Sequence, residues 1–209
     1  MTPSRVLRLH PDQVQAWPIQ EITALLKEGG IIAYPTETIY GLGVDALNER
    51  AIKRLFEIKL RTLDKPVSVL VRDTQMLSRV VSRVPAIARP LMEEYWPGPV
   101  TIIFPASEGI PPTLTGQTGT IGVRISPHPF VRHLFNFFDS PLTSTSANIS
   151  GGRSLIEPED ILRTFGNLID LVIDMSEFVE GEGSTLVDVT GVRPRIVREG
   201  AVEIKGIRG

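Results

Sequence analysis

Apolar residues recur along most of this chain at one of two spacings, and the spacing changes from segment to segment. Between Ile19 and Lys27 the apolar positions Ile19, Ile22, Leu25 and Leu26 fall on one helical face, and Gly29-Gly30 supplies the stop. Asn48 can cap a second helix reaching about Lys59, with Ile52, Leu55 and Phe56 turned to a core. Helical patterns return at 73–81, 85–96 and the aromatic-rich 130–138, and Pro158–Phe165 opens with proline in its first turn. Strand-like runs occupy 31–34, 67–71, 100–104, 121–125, 168–173, 185–189 and 195–197, with a brief extended segment at 141–145. Several strands follow one another without a helix between, which breaks the regular alternation of a doubly wound fold. The pattern predicts an α/β (α+β) chain with a mixed sheet in one domain spanning 1–209, without repeats, low-complexity runs or linkers.

Composition narrows the function. Hydrophobic residues make up 42% and charged residues 22% of 209, enough for a sizeable core. A net charge of −2 argues against a protein built to coat nucleic acid, while leaving room for a local basic cleft. With no cysteine, thiolate metal sites, disulfides and thiol nucleophiles are excluded, and His10, His128 and His133 lack a metal-ligand spacing. No apolar run approaches the roughly 20 residues that span a bilayer, so no membrane partner is expected. The opening MTPSRVLRLHPDQ lacks the apolar core of a signal peptide, which points to the cytoplasm. Walker, dinucleotide, H-E-x-x-H and nucleophile-elbow motifs are all missing.

Chemistry gathers instead in four places. Residues 34–43, YPTETIYGLG, put hydroxyls, a carboxylate and glycines directly after a buried strand; a polar turn capped by Thr36 or Thr38 reads the same residues. Residues 59–66, KLRTLDKP, bring Lys59, Arg61 and Lys65 together as a set suited to phosphates or carboxylates, though cations there also complement a helix C-terminus. Residues 143–152, TSTSANISGG, are dense in neutral donors, as a phosphate, ribose or carboxylate site or a serine-rich loop would be. Finally, residues 119–124, 181–185 and 197–200 place cations or hydroxyls beside glycine at strand ends.

In this order the segments resemble the YrdC/Sua5 family of L-threonylcarbamoyladenylate synthases, over about 19–200. The motifs that carry the resemblance are P-T-E-T…Y-G-L-G (35–43), Lys59-x-Arg61, T-I-G-V-R (120–124), S-A-N-I-S-G (146–151), Ser184-Thr185 and V-R-E-G (197–200). The chain resembles the short single-domain form. The resemblance implies a twisted mixed sheet with flanking helices around a large, positively charged cavity. It also implies a nucleotidyltransferase reaction: L-threonine, bicarbonate or carbon dioxide, and ATP give threonylcarbamoyl-AMP and pyrophosphate, for N6-threonylcarbamoyladenosine in tRNA. Carried over by position, Lys59, Arg61, Ser146 and Asn148 would be catalytic. Thr36, Tyr40, Arg124, Ser144 and Ser184 would bind threonine, with Arg124 on its carboxylate. Arg61, Lys65, Thr120, Ser146, Ser154 and Arg198 would bind ATP. Mg²⁺ would ride on the ATP phosphates without dedicated protein ligands, and tRNA threonylcarbamoyl-transferase proteins would be partners. The family often has proline where Thr62 stands and histidine near Leu70. These departures keep an alternative open: a YciO-type paralogue that binds tRNA or double-stranded RNA without threonine-dependent synthesis.

Overall fold

A computed structural model describes residues 5–175 and 181–207. Ten strands form one mixed sheet in the order β1-β8-β2-β3-β7-β4-β6-β5-β9-β10. The strands are β1 (Arg5–Arg8), β2 (Ile32–Tyr34), β3 (Gly41–Gly43), β4 (Ser68–Leu70), β5 (Val100–Pro105), β6 (Thr120–Arg124), β7 (Leu142–Ser146), β8 (Leu171–Asp174), β9 (Thr185–Asp188) and β10 (Arg195–Arg198). Parallel pairs (β1/β8, β2/β8, β4/β6, β5/β9) mix with antiparallel ones (β2/β3, β3/β7, β4/β7, β5/β6, β9/β10). The flanking helices are α1 (Ile19–Lys27), α2 (Glu49–Ile58), α3 (Thr74–Val80), α4 (Arg89–Tyr95), α5 (Pro129–Leu134) and α6 (Pro158–Phe165). The expected single-domain mixed sheet with flanking helices is what forms.

Local chemistry accounts for several helix ends. Asn48 accepts the Ala51 N–H at 3.1 Å and so caps α2. Asp73 does the same for α3 through Met76 N–H at 2.8 Å. At the end of α1, Gly29 takes a φ of 87°, and the Gly29 and Gly30 amides reach back to Leu26 O and Leu25 O at 3.0 and 2.8 Å. That is the paired hydrogen bonding of a Schellman stop, with glycine where left-handed backbone is required.

Four expectations need correction. Gly41–Gly43, read as the glycine end of a polar segment after β2, is a strand between β2 and β7. Its pairing partners override the low strand propensity of glycine. Arg5–Arg8 is an unforeseen edge strand paired parallel to β8, its partners lying 166 residues along the chain. The aromatic helix stops at Leu134 rather than 138, and the segment around 168 begins with a 3-10 turn (Gly166–Leu168) before β8 starts at Leu171.

Register sets one face of the sheet. Ser68 pairs with Ser144, Leu70 with Arg124, and Thr101 with Leu186, and all six line a common cleft. The alternate positions Val123, Ile102 and Val187, themselves paired, are fully buried in the apolar core. Two-residue alternation thus turns Ser68, Ser144, Thr101 and Arg124 to the cleft beside Leu70 and Leu186, and Ile102, Val123 and Val187 to the hydrophobic layer.

Candidate functional site

The cleft encloses about 820 Å³. Its walls come from the turn after β2, the loop after α2, the loop after β7, and the segments flanking β9 and β10. Among its lining residues, Arg61, Lys65, Arg124, Arg153 and Arg198 bring cations, and Glu182 and Glu199 bring carboxylates. Hydroxyls come from Thr36, Thr38, Ser68, Thr101, Ser144, Ser146, Ser154 and Ser184.

The loop after α2 sends two cations in different directions. Helix α2 ends in the same hydrogen-bond pattern as α1: Leu60 N–H to Glu57 O at 3.0 Å and Arg61 N–H to Phe56 O at 2.9 Å. Here the left-handed residue is Leu60, at φ 50°. The turn leaves Lys59 1% exposed, beneath the cleft, while Arg61 lines it. Lys59 Nζ donates to Ser146 O and, at 2.7 and 3.1 Å, to Asn148 O and Oδ1. Asn148 Oδ1 also accepts Ser146 Oγ at 2.7 Å, and its Nδ2 donates to Gly152 O. Burial, reinforced by the Arg61 charge, lowers the Lys59 pKa to about 7. Arg61 is braced by carbonyls, its Nε donating to Lys65 O at 3.1 Å and its Nη2 to Pro66 O at 2.7 Å.

On the floor, Arg124 is 4% exposed and paired through Nη1 with Glu37 Oε1, while Nη2 lies 3.4 Å from Ser144 Oγ. Burial holds its pKa down to about 10. Burial also pushes the neighbouring Tyr34 phenol up to about 12; that hydroxyl donates to Thr143 O at 2.9 Å. Arg198 Nη2 donates to Ser184 O at 2.7 Å, and Ser184 Oγ shares a 2.7 Å hydrogen bond with Thr101 Oγ1. Gly200 must lack a side chain, because a Cβ there would stand 2.2 Å from Gly183 O. Glycine therefore lets the chain after β10 lie on the segment before β9, bringing Arg198 to Ser184.

Of the residues singled out in the sequence, Thr36, Tyr40, Arg61, Lys65, Arg124, Ser144, Ser146, Ser154, Ser184 and Arg198 share the lining. Three do not. Lys59 and Asn148 lie under the loop after β7 as its internal brace, because Lys59 continues the buried face of α2 set by Ile52, Leu55 and Phe56. Thr120, at the start of β6, spends its hydroxyl on Thr118 Oγ1 at 2.9 Å. Thr36 lines the cleft, yet its hydroxyl is committed to its own turn. It donates to Ile39 O at 2.7 Å, accepts the Thr38 and Ile39 amides, and meets Thr38 Oγ1 at 3.0 Å. The Tyr40 hydroxyl donates to Ile173 O at 3.0 Å, and burial raises its pKa. Sequence reasoning counted Glu37 only as the carboxylate of its segment, without a partner, and missed Thr101 and Arg153. For Arg153 a signal existed, a cation directly after Gly151-Gly152; for Glu37 and Thr101 the partners lie 87 and 83 residues away. Among the described residues, no three or more His, Asp or Glu side chains converge as metal ligands, and no helix is long and apolar enough to cross a membrane.

A family model described as "Telomere recombination", covering Sua5, YciO and YrdC proteins, matches residues 24–200. The chain belongs to the Sua5/YciO/YrdC family. A Vibrio vulnificus relative named threonylcarbamoyl-AMP synthase is 38% identical over 157 residues, covering 74% of this chain and 84% of the relative. A Pyrococcus abyssi protein of the same name is 34% identical over 196 residues; the alignment takes in 94% of this chain and only 58% of that longer protein. The solved P. abyssi Sua5 complexed with L-threonine superposes with a TM-score of 0.89 at 34% identity, over 94% of this chain and 58% of its own. E. coli YciO superposes at 0.86 with 28% identity and matches nearly end to end, 97% of this chain and 98% of its own.

Proposed function

We propose that this Sua5/YciO/YrdC member is a threonylcarbamoyl-AMP synthase, an ATP-dependent nucleotidyltransferase acting in the cytoplasm for tRNA modification. The observation that carries the reading is the convergence of Arg61, Lys65, Arg124 and Arg198 with neutral hydroxyls in one cleft. A triphosphate and an amino-acid carboxylate are both anions. Holding them side by side takes several cations and oriented donors, and no protein nucleophile.

The amine of L-threonine attacks the carbon of carbon dioxide, supplied from bicarbonate, and gives up a proton to form a carbamate. A carbamate oxygen then attacks the α-phosphorus of ATP; the bond from that phosphorus to the bridging oxygen breaks, and pyrophosphate leaves. In this scheme Arg61, Lys65, Ser146 and Ser154 bind the nucleotide phosphates, joined by Arg153. Arg124, Ser144 and Ser184 receive threonine, with the Arg124 Nη2 edge on its carboxylate. Arg198 stands between the two ligands. Lys59 and Asn148 act through the loop after β7, holding Ser146 in place. Mg²⁺ would come with the substrate phosphates and supply charge neutralisation there; Arg61 and Lys65 with the hydroxyls of Ser146 and Ser154 line the cleft around such a complex. The adenylate passes to a tRNA threonylcarbamoyl-transferase.

Purified protein with L-threonine, bicarbonate and Mg-ATP is expected to release pyrophosphate in a threonine-dependent reaction. Arg61→Ala should cut kcat/KM by about a hundredfold or more, the scale of removing a preorganised charge donor. Well-folded wild-type protein with no threonine-dependent pyrophosphate would reject the synthase. A second reading has its own support, the end-to-end match to YciO. It predicts RNA binding with a steep salt dependence, indifferent to ATP, and no pyrophosphate.

A further inference from the structure

Arg124 is a cleft-lining cation held along one edge from behind, with its Nη2 edge turned to Ser144. Glu37 provides that hold. It lies in the turn between β2 and β3, whose backbone is already fixed by Thr36 Oγ1, and it does not itself line the cleft. Its Oε1 accepts a hydrogen bond from Arg124 Nη1 and its Oε2 accepts one from Ser126 Oγ. Ser126 Oγ in turn accepts the His128 amide at 3.2 Å, and His128 Nδ1 accepts the Phe130 amide at 3.3 Å, at the start of α5. The network therefore ties the β2–β3 turn, the end of β6 and the first turn of α5 to one guanidinium. Glu37 is 15% exposed in its side chain and Arg124 5%, so the pair is shielded from screening by solvent.

We propose that Glu37 is a positioning residue that reserves Arg124 for the small carboxylate ligand and keeps it from the polyphosphate. This rests on the synthase reading for the identity of that ligand, L-threonine. A bare buried guanidinium would be attracted most strongly by the most highly charged anion in the cleft, the triphosphate. With Glu37 behind it, the pair is close to neutral, and the negative side of the pair disfavours a polyanion. A monocarboxylate loses little by this, because it gains an aligned Nη2 donor beside Ser144. Fixing the guanidinium in advance also spares the ligand the entropy cost of ordering it. Two anions of different charge are thereby sorted between two sets of cations, Arg61 and Lys65 on one side and Arg124 on the other.

Calorimetry with wild type, Glu37→Gln, Glu37→Asp and Ser126→Ala, titrated separately with L-threonine and with Mg-ATP, tests the proposal. Glu37→Gln is expected to weaken L-threonine by about tenfold or more, the scale of one charge-assisted hydrogen bond, with Mg-ATP unchanged or tighter. Glu37→Asp should fall between Gln and wild type. Ser126→Ala, which leaves the ion pair in place, should shift L-threonine in the same direction by a few-fold, and it decides the matter if Glu37→Gln does not fold. Unchanged L-threonine affinity, or parallel loss of both ligands as from general loosening, overturns the proposal. If wild type binds no L-threonine, the synthase reading fails by itself. The role of Glu37 is then decided by a ligand-free crystal structure of Ser126→Ala or Glu37→Gln. A guanidinium displaced from Ser144 supports it, and one left in place overturns it.

Discussion

Leu60 occupies left-handed backbone, φ 50°, and is 75% exposed, at a position where helix ends usually carry glycine. A leucine pays a steric penalty there that packing does not return. Leu60→Gly is therefore expected to raise the unfolding free energy by about 0.5–1 kcal/mol, the left-handed strain relieved less the extra entropy of the unfolded chain; a urea titration reads it. The neighbouring Lys59 makes a pH prediction. Its folded pKa of about 7 lies below the ordinary 10.5. Between those values the unfolded chain holds a proton that the native chain has shed, so stability rises with pH across that window. Below about 7 the penalty of burying the charge is present in full. Unfolding free energies measured from pH 7 to 9 should climb by up to about 1.4 kcal/mol per unit from this group, and Lys59→Met should flatten that climb. Cations at 59 and 61 were legible as a pair, but not that they part company. Spacing says nothing of a left-handed residue between them when that residue is leucine.

At the level of elements, the stop of α1 could be read from Gly29 and the start of α2 from Asn48, because both act through atoms within a few residues. Strand β3 could not be read. Gly41 and Gly43 favour no regular structure, and they are fixed by Tyr34, whose ring covers both. A Cβ on Gly43 would stand 2.7 Å from Tyr34 Cε1 and 3.0 Å from Leu142 Cδ1. Tyr34 cannot swing aside easily, being fully buried and hydrogen-bonded to Thr143 O. Gly43→Ala should therefore cost about 1–3 kcal/mol by overpacking, seen as a lower denaturation midpoint with unchanged slope. The aromatic-rich helix ended early for a related reason. Phe135 and Phe138 are buried beyond its last turn, so apolar content there reflects burial of a loop rather than more helix.

Over the whole molecule, one cleft gathers residues from most of the chain, from Thr36 to Glu199. A ligand that bridges so many segments should stabilise the fold as a unit. Mg-ATP at about 100 times its Kd is expected to add about 2.7 kcal/mol to the native state, measured as a raised melting temperature, and Arg61→Ala should remove most of that shift. The motifs carrying the cleft's donors were visible in order along the sequence. Caps, glycine stops and two-residue alternation act over a few residues, and so the sequence by itself determined the stop of α1, the starts of α2 and α6, the mixed α/β class and the family motifs. Which of those donors faces a ligand was decided only by tertiary structure. The Thr36 hydroxyl is spent on its own turn, Lys59 is buried against the backbone of Ser146 and Asn148, and Arg124 is held by a carboxylate 87 residues away. Hydrogen-bonding capacity is finite and is assigned by whichever partner folding brings within reach, and no spacing along the chain records that distance.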